Sequence, residues 1–275
     1  MQSHETAERV DLLFEIGTEE LPSWYVQEGS QALAALLAER LRAADVAAAD
    51  VTAYGSPRRL AVIARGLPTT SAVRTEELRG PPASVAFDEA GAPTRAALAF
   101  AEKNGVGVAA LEKRDTDKGS YLYARVQRGG QSTAELLPEL LAQVVKDLPA
   151  PRKMRWGSEP TPFVRPVAWL LALLGTAVLT VEAAGVRSGG TTRGHRFLAP
   201  HDVEVPSPDA YLNVLEAAWV LADRARRRQL TAESVARVVQ EAGLEPYYDA
   251  ELLDEVTDLV EWPFPILGAF EDEYL

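Results

Sequence analysis

Pro151-Arg152-Lys153-Met154-Arg155-Trp156-Gly157 sets three cations beside an indole and a glycine that permits a kink. That combination suits a phosphate backbone with a stacked base or sugar. Its plainer reading is a solvated linker whose Trp156 plugs a core. A second stretch, Ser188-Gly189-Gly190-Thr191-Thr192-Arg193-Gly194-His195-Arg196, joins free backbone N–H groups and two threonine hydroxyls to two guanidinium groups, enough to surround an anion. It lacks the Gly-Lys-Ser/Thr ending of a P-loop and the spacing of a dinucleotide fingerprint. The alternative is a tight loop in which His195 bonds a carbonyl. Gly17-Thr18-Glu19-Glu20 places adjacent carboxylates after a strand, as an acid–base pair or a Mg²⁺ site requires, but neighbours on a strand or helix point apart. Thr18 and Glu20 therefore fit the start of a helix, where acids meet the positive end of the dipole. Ser56-Pro57-Arg58-Arg59 reads as a turn with paired arginines at the tip of a surface hairpin. Arg224, Arg226, Arg227 and Arg228 follow Asp223 on an expected helix, as a second basic face or a counterweight to an acidic body.

No nucleophile, base and acid stand in a recognisable pattern, so no catalytic residue is assigned. There is no cysteine, and the three histidines, His4, His195 and His201, leave little room for a metal site. Neither a metal nor a cofactor is expected on this chain.

The elements that must position these residues follow from periodicity. Residues 10–16 are apolar except Asp11 and Glu15 and predict a strand; Leu33, Leu36, Leu37 and Leu41 recur at helical spacing; residues 51–54 and 60–64 are short strands. The opening third thus has the order βαββ. A helix is expected over 93–101, a strand over 121–126 and a helix over 133–147. Leu148-Pro149-Ala150-Pro151 stops that helix and marks a boundary between an N-terminal α+β domain, 1–150, and a second sub-domain, 151–275. Beyond it the pattern predicts a helix over 166–174, a strand over 177–182, and several helices, the last with Leu252, Leu253, Val256, Leu259 and Val260 as its stripe. The fold class expected is α+β, with mixed or antiparallel sheets and packed helices.

The chain has 275 residues, 47% hydrophobic and 25% charged, as in folded globular proteins. Its net charge of −12 argues against coating nucleic acid through a general field. Residues 152–196, however, hold seven bases against two acids, so that segment is +5 and the remainder −17. A phosphate backbone is confined to that basic island. Polar and charged residues through the first eleven positions interrupt any apolar run, so no export signal is expected, and the longest uncharged run, 166–181, falls short of the about 20 residues of a membrane helix. The expected setting is cytoplasmic, with no membrane contact.

Seven segments in order carry a resemblance. They are Leu13-Phe14-Glu15-Ile16-Gly17-Thr18-Glu19-Glu20-Leu21-Pro22, Ser56-Pro57-Arg58-Arg59-Leu60-Ala61-Val62, Lys118-Gly119-Ser120-Tyr121-Leu122, Met154-Arg155-Trp156-Gly157, Phe163-Val164-Arg165-Pro166-Val167-Ala168-Trp169-Leu170, Thr192-Arg193-Gly194-His195-Arg196-Phe197 and Leu259-Val260-Glu261-Trp262-Pro263. Together they resemble the beta subunit of bacterial glycyl-tRNA synthetase over nearly the whole chain. The resemblance implies part of an α₂β₂ enzyme that joins glycine to tRNA-Gly. ATP, with Mg, is used on the alpha subunit, which holds the class II catalytic core; the beta subunit supplies most of the tRNA recognition. Family beta chains are more than twice this length, so the resemblance implies an N-terminal fragment, inactive alone, without the HD-like and anticodon-binding domains. On this reading Arg152, Lys153, Arg155, Arg193, His195 and Arg196 supply phosphate contacts with Trp156 packing or stacking beside them. Arg58 and Arg59 join them as contacts to tRNA or to the alpha subunit. The rival is an assembly scaffold without tRNA contact, whose basic island pairs with acids of the alpha subunit. A third reading is a hydrolase centred on His195.

Overall fold

The computed structural model describes residues 8–269 apart from 89, 90, 118, 246 and 248. Residues 1–7, expected to carry no export signal, Lys118 of the third resemblance segment and the last residues, 270–275, lie outside that description. The architecture is α+β, as expected, and divides into two compact units: Met1–Thr69 with Ser132–Leu275, and Thr70–Gln131. Residues 148–151, where a boundary was expected, lie inside the first unit.

The chain opens with strand β1 (Arg9–Thr18), helix α1 (Ser23–Ala43) and strands β2 (Asp50–Ser56) and β3 (Arg59–Pro68), the βαββ order read from the pattern. On α1, Tyr25, Gly29, Leu33, Leu37 and Leu41 recur every fourth residue and are all buried, a single stripe laid on the sheet. Pro22 caps α1 without a side-chain bond and no acid stands in its first turn, so Thr18 and Glu20 do not start the helix.

The second unit has strand β4 (Arg74–Pro82), short helix α2 (Ala83–Ala86), helix α3 (Arg95–Lys103) and strands β5 (Glu112–Thr116) and β6 (Gly119–Arg128), in an antiparallel sheet of order β4-β6-β5. Its buried core is small: Ala86, Ala97 and Leu122, with Phe87, Phe100 and Leu111 packed around them. Arg114 makes a two-pronged pair to Glu77, at 2.9 and 2.8 Å, and Arg125 adds a third bond at 3.0 Å. Hydrogen bonds from Arg114 and then Arg125 hold the Glu77 carboxyl down at about 2.

The chain continues in the first unit with helix α4 (Thr133–Asp147), at the expected residues, and then strand β7 (Val167–Leu174). A helix was expected at β7. Every residue from Val167 to Leu174 is apolar, so period alone cannot separate a buried helix from a strand buried on both faces. Here it is a strand beside β1, with Phe14 opposite Ala172. Gly175, at φ +61°, turns it into β8 (Ala177–Val178). The single strand expected over 177–182 is broken, its later part pairing as a separate ribbon of β9 (Glu182–Ala183) and β10 (Val186–Arg187). Strands β11 (Thr191–Arg193) and β12 (Asp202–Glu204) form another ribbon, followed by helices α5 (Tyr211–Ala217), α6 (Arg224–Glu241) and α7 (Ala250–Thr257). Helix α7 ends before Leu259 and Val260, and Leu252 and Leu259 are exposed, so the predicted stripe is not a core face.

The main sheet runs β2-β3-β1-β7-β8, antiparallel throughout. Its two faces bury different cores. Phe14, Val62, Leu170 and Ala172 face α1 and α4; Leu13, Ile63, Leu171 and Leu173 face Tyr211, Leu215 and Val220. Glu15 shares the second face, since side chains alternate along a strand.

Candidate functional site

Glu15 is the one carboxylate among the buried residues of β1 and is fully enclosed. Thr192 Oγ1 donates to its Oε1 at 2.6 Å, the Trp169 indole N–H donates to the same oxygen, and the Tyr211 hydroxyl donates to Oε2. Arg59, also fully enclosed, comes within 3.6 Å of Glu15 Oε2 and donates to Thr192 Oγ1 at 3.0 Å, to the Arg193 carbonyl at 2.8 Å and to Glu261 at 3.0 Å. The Ser56 hydroxyl donates to Glu261 at 2.9 Å. Burial alone would lower the Arg59 pKa, but Glu261 and Glu15 outweigh it and the guanidinium is held more strongly charged than usual. Burial and the Glu15 charge push the Tyr211 hydroxyl well above its ordinary value, so it stays a donor. The hairpin turn expected at Arg58 and Arg59 is present, with Ser56 opposite Arg59, but it is not at the surface: both arginines are buried, and Arg59 bonds Glu261, 202 residues further along the chain. A buried charge is tolerated only when paired and hydrogen-bonded, and Arg59 is both.

Trp169 is the lid of this cluster. The guanidinium carbons of Arg193, Arg59 and Arg58 stand 4.9, 5.5 and 5.6 Å from its ring centroid. Gly17 is required beneath it, because an added Cβ would lie 1.9 Å from the indole.

Outside this core is a cleft of about 280 Å³ lined by Arg58, Arg193, Gly194, Arg196, Pro200, His201 and Asp202. Arg196 reaches Glu19 at 2.6 Å and Glu20 at 2.8 Å, so the adjacent carboxylates serve as its joint partner. Arg193 lies opposite Asp202 on β12, with its Nε 3.5 Å from the carboxylate. His195 is half-buried, and its Nδ1 accepts from the N–H groups of Phe197 and Leu198, both at 3.2 Å. It ties the loop as an acceptor, whereas the alternative reading of a tight loop had it bond a carbonyl. That nitrogen has no lone pair left for a substrate proton. Burial, against the pull of Glu261 and with the push of Arg58 and Arg59, holds the imidazole pKa below its ordinary value.

Residues 151–157 are a separate feature. Arg152, Lys153 and Arg155 are exposed; among the described residues Lys153 and Arg155 reach carbonyl oxygens alone, both at 3.5 Å. Met154 pins the segment by pairing with Phe163 through two backbone bonds, and Trp156 packs against the main core. Arg152 and Pro151 line a shallow hollow with Trp24, which is 47% exposed. The arginines of α6 are not a free basic face: Arg224 and Arg228 bind Asp254, Arg224 and Arg227 bind Asp258, and Arg226 binds Glu216. Burial pushes the enclosed Arg227 down to about 10 despite Asp258. Among the described residues, no group of three or more His, Asp or Glu is placed to hold a metal ion, and no helix is long and apolar enough to cross a membrane.

A family model described as glycyl-tRNA synthetase beta subunit matches residues 12–275. This chain belongs to the glycyl-tRNA synthetase beta-subunit family. The glycine–tRNA ligase beta subunit of Moorella thermoacetica is 43% identical over 265 residues, covering 96% of this chain. Those of Chromohalobacter salexigens and Myxococcus xanthus are 44% and 41% identical over 264 and 265 residues. The chain spans 38% of the length of each of these relatives.

Within this member of the beta-subunit family, five of the seven resemblance segments meet at one end of the main sheet. They contribute Glu15 and Glu19, Arg58 and Arg59, Trp169, Thr192 to Arg196, and Glu261. Met154 to Gly157 does not join them, and Gly119 to Leu122 belong to the other unit. Sequence reasoning missed Glu15, Trp169, Tyr211 and Glu261 as site residues. An acid inside an apolar strand was the available signal for Glu15; Tyr211 had none.

Proposed function

We propose that this chain is the N-terminal part of a glycine–tRNA ligase beta subunit, helps hold tRNA-Gly and docks the alpha subunit of a cytoplasmic α₂β₂ enzyme. In that assembly the alpha subunit uses ATP, with Mg, to activate glycine, and this chain alone is inactive. The observation that carries tRNA holding is the segment 151–157: three exposed cations without a carboxylate partner among the described residues, beside the exposed indole of Trp24. Cations free of in-chain acids are the ones that exchange counterions for phosphates, and an open indole offers a stacking face.

The test is a titration of the chain with tRNA-Gly and a non-cognate tRNA at two salt concentrations, with and without the alpha subunit. Salt-sensitive binding by the chain alone is expected. Alanine at Arg152 and Arg155 should lower the slope of log affinity against log salt by about one for each phosphate no longer neutralised. An unchanged slope and affinity would refute the assignment.

The scaffold reading draws on a different observation. Phe197 and Leu198, next to the basic loop, are 80% and 54% exposed, as apolar residues at a protein interface are. Binding of the alpha subunit without any binding of tRNA would favour it.

A further inference from the structure

The cleft beside the buried cluster contains a guanidinium with unmet capacity. Arg58 is only 8% exposed, its nearest carboxylate oxygen, on Glu261, is 3.9 Å away, and its enclosed Nε has no acceptor. Arg59, one residue on, has its donors satisfied by Ser56, Thr192, Glu261 and the Arg193 carbonyl. A buried charged donor with a long ion pair and no hydrogen bond is costly, so a site that keeps one is arranged for an acceptor that arrives later. Burial lowers the Arg58 pKa, Glu261 restores part of it, and Arg196 and Arg59 lower it again, which marks a charge that its own surroundings under-compensate.

Two more guanidiniums line the same cleft, each held on an exposed carboxylate. Arg193 faces Asp202, which is 68% exposed, and Arg196 spans Glu19 and Glu20, which are 50% and 62% exposed. Such pairs are weak, and their acids return to water when released. We propose that this cleft binds a phosphate group, with Arg58 as the fixed donor and Arg193 and Arg196 as arms that leave their carboxylates to close on it. Three forks converging on one space suit a tetrahedral oxyanion better than a carboxylate with its two oxygens. The phosphate comes either from an RNA backbone or from a free phosphate or phosphomonoester. The RNA source deepens the tRNA-holding proposal and rests on it; the phosphate site itself does not.

Arginine Nε–H resonances of the chain distinguish the cases, with the Arg58 signal assigned by its loss in Arg58→Gln. The chain is titrated with inorganic phosphate and, separately, with tRNA-Gly at low salt. The expected result is a saturable shift of the Arg58 signal with both ligands, and at least a threefold loss of tRNA affinity in Arg58→Gln. A shift with inorganic phosphate but no tRNA binding supports the site, assigns it to free phosphate and sinks the tRNA reading. Binding of tRNA with the Arg58 signal unmoved and Arg58→Gln unimpaired overturns the site and leaves the tRNA reading standing. No shift with either ligand also overturns the site. If Arg58→Gln does not fold, Arg58→Lys supplies the assignment and the titrations of the unsubstituted chain decide.

Discussion

Arg59 and Glu15 are charges taken wholly out of water, and such groups hold a fold together by being paired rather than by being charged. Removing one partner of a buried pair strands the other, so Arg59→Ala is expected to cost about 3–5 kcal/mol in urea unfolding. A loss under about 1 kcal/mol would mean the network is not closed as described. Gly17 is constrained by contact: Gly17→Ala must displace the Trp169 ring, and overpacking of that kind costs about 1–3 kcal/mol with a change in indole fluorescence. For His195, the unfolded chain takes a proton near about pH 6.5 while the folded loop resists it. Stability from this residue is therefore present above that pH and falls as the pH drops below it. An NMR titration should show a His195 midpoint below about 6.5; a midpoint above 7 would contradict the burial that lowers it.

Helices α6 and α7 are joined mainly by charge. Arg224 and Arg228 share Asp254, and Arg224 and Arg227 share Asp258, while Leu252 and Leu259 stay exposed. The hydrogen bond from Arg228, opposed by slight burial and reinforced by the Arg228 and Arg224 charges, holds the Asp254 carboxyl below the usual carboxylate value near about 4. Its contribution is fully present above that value and is lost as pH falls through the lower, folded-state pKa. Asp254→Asn should accordingly flatten the dependence of stability on pH below about 4, read from urea unfolding at a series of pH values. A dependence identical to that of the unsubstituted chain would show that α7 is held by something else. The same elements explain why a run of arginines that reads as a basic face is not one: the partners of Arg224, Arg227 and Arg228 lie about 30 residues later, beyond the reach of local spacing.

At the scale of the whole molecule, the two units differ in how much they bury. The larger has two apolar cores on opposite faces of a five-stranded sheet; the smaller has a small apolar cluster centred on Ala86, Ala97 and Leu122. Amides of β1, β3 and β7 should therefore exchange with solvent far more slowly than those of β4, β5 and β6, and equal protection would refute two units of unequal stability. The sequence by itself determined the elements whose two sides differ chemically. Helix α1 has one apolar stripe, helix α4 has another between a threonine start and a proline stop, and β1 and β3 are short apolar runs between turn signals. It also determined the family, through ordered segments, and the placing of positive charge on residues 152–196. The tertiary structure alone decided that Val167–Leu174 is a strand, because a segment buried on both sides has no period to read. It alone decided that Arg58 and Arg59 are enclosed and that Glu15, Trp169, Tyr211 and Glu261 surround them. The bonds from Trp169 and Tyr211 to Glu15 and from Arg59 to Glu261 span 154 to 202 residues of chain, and no local rule of spacing acts over that distance.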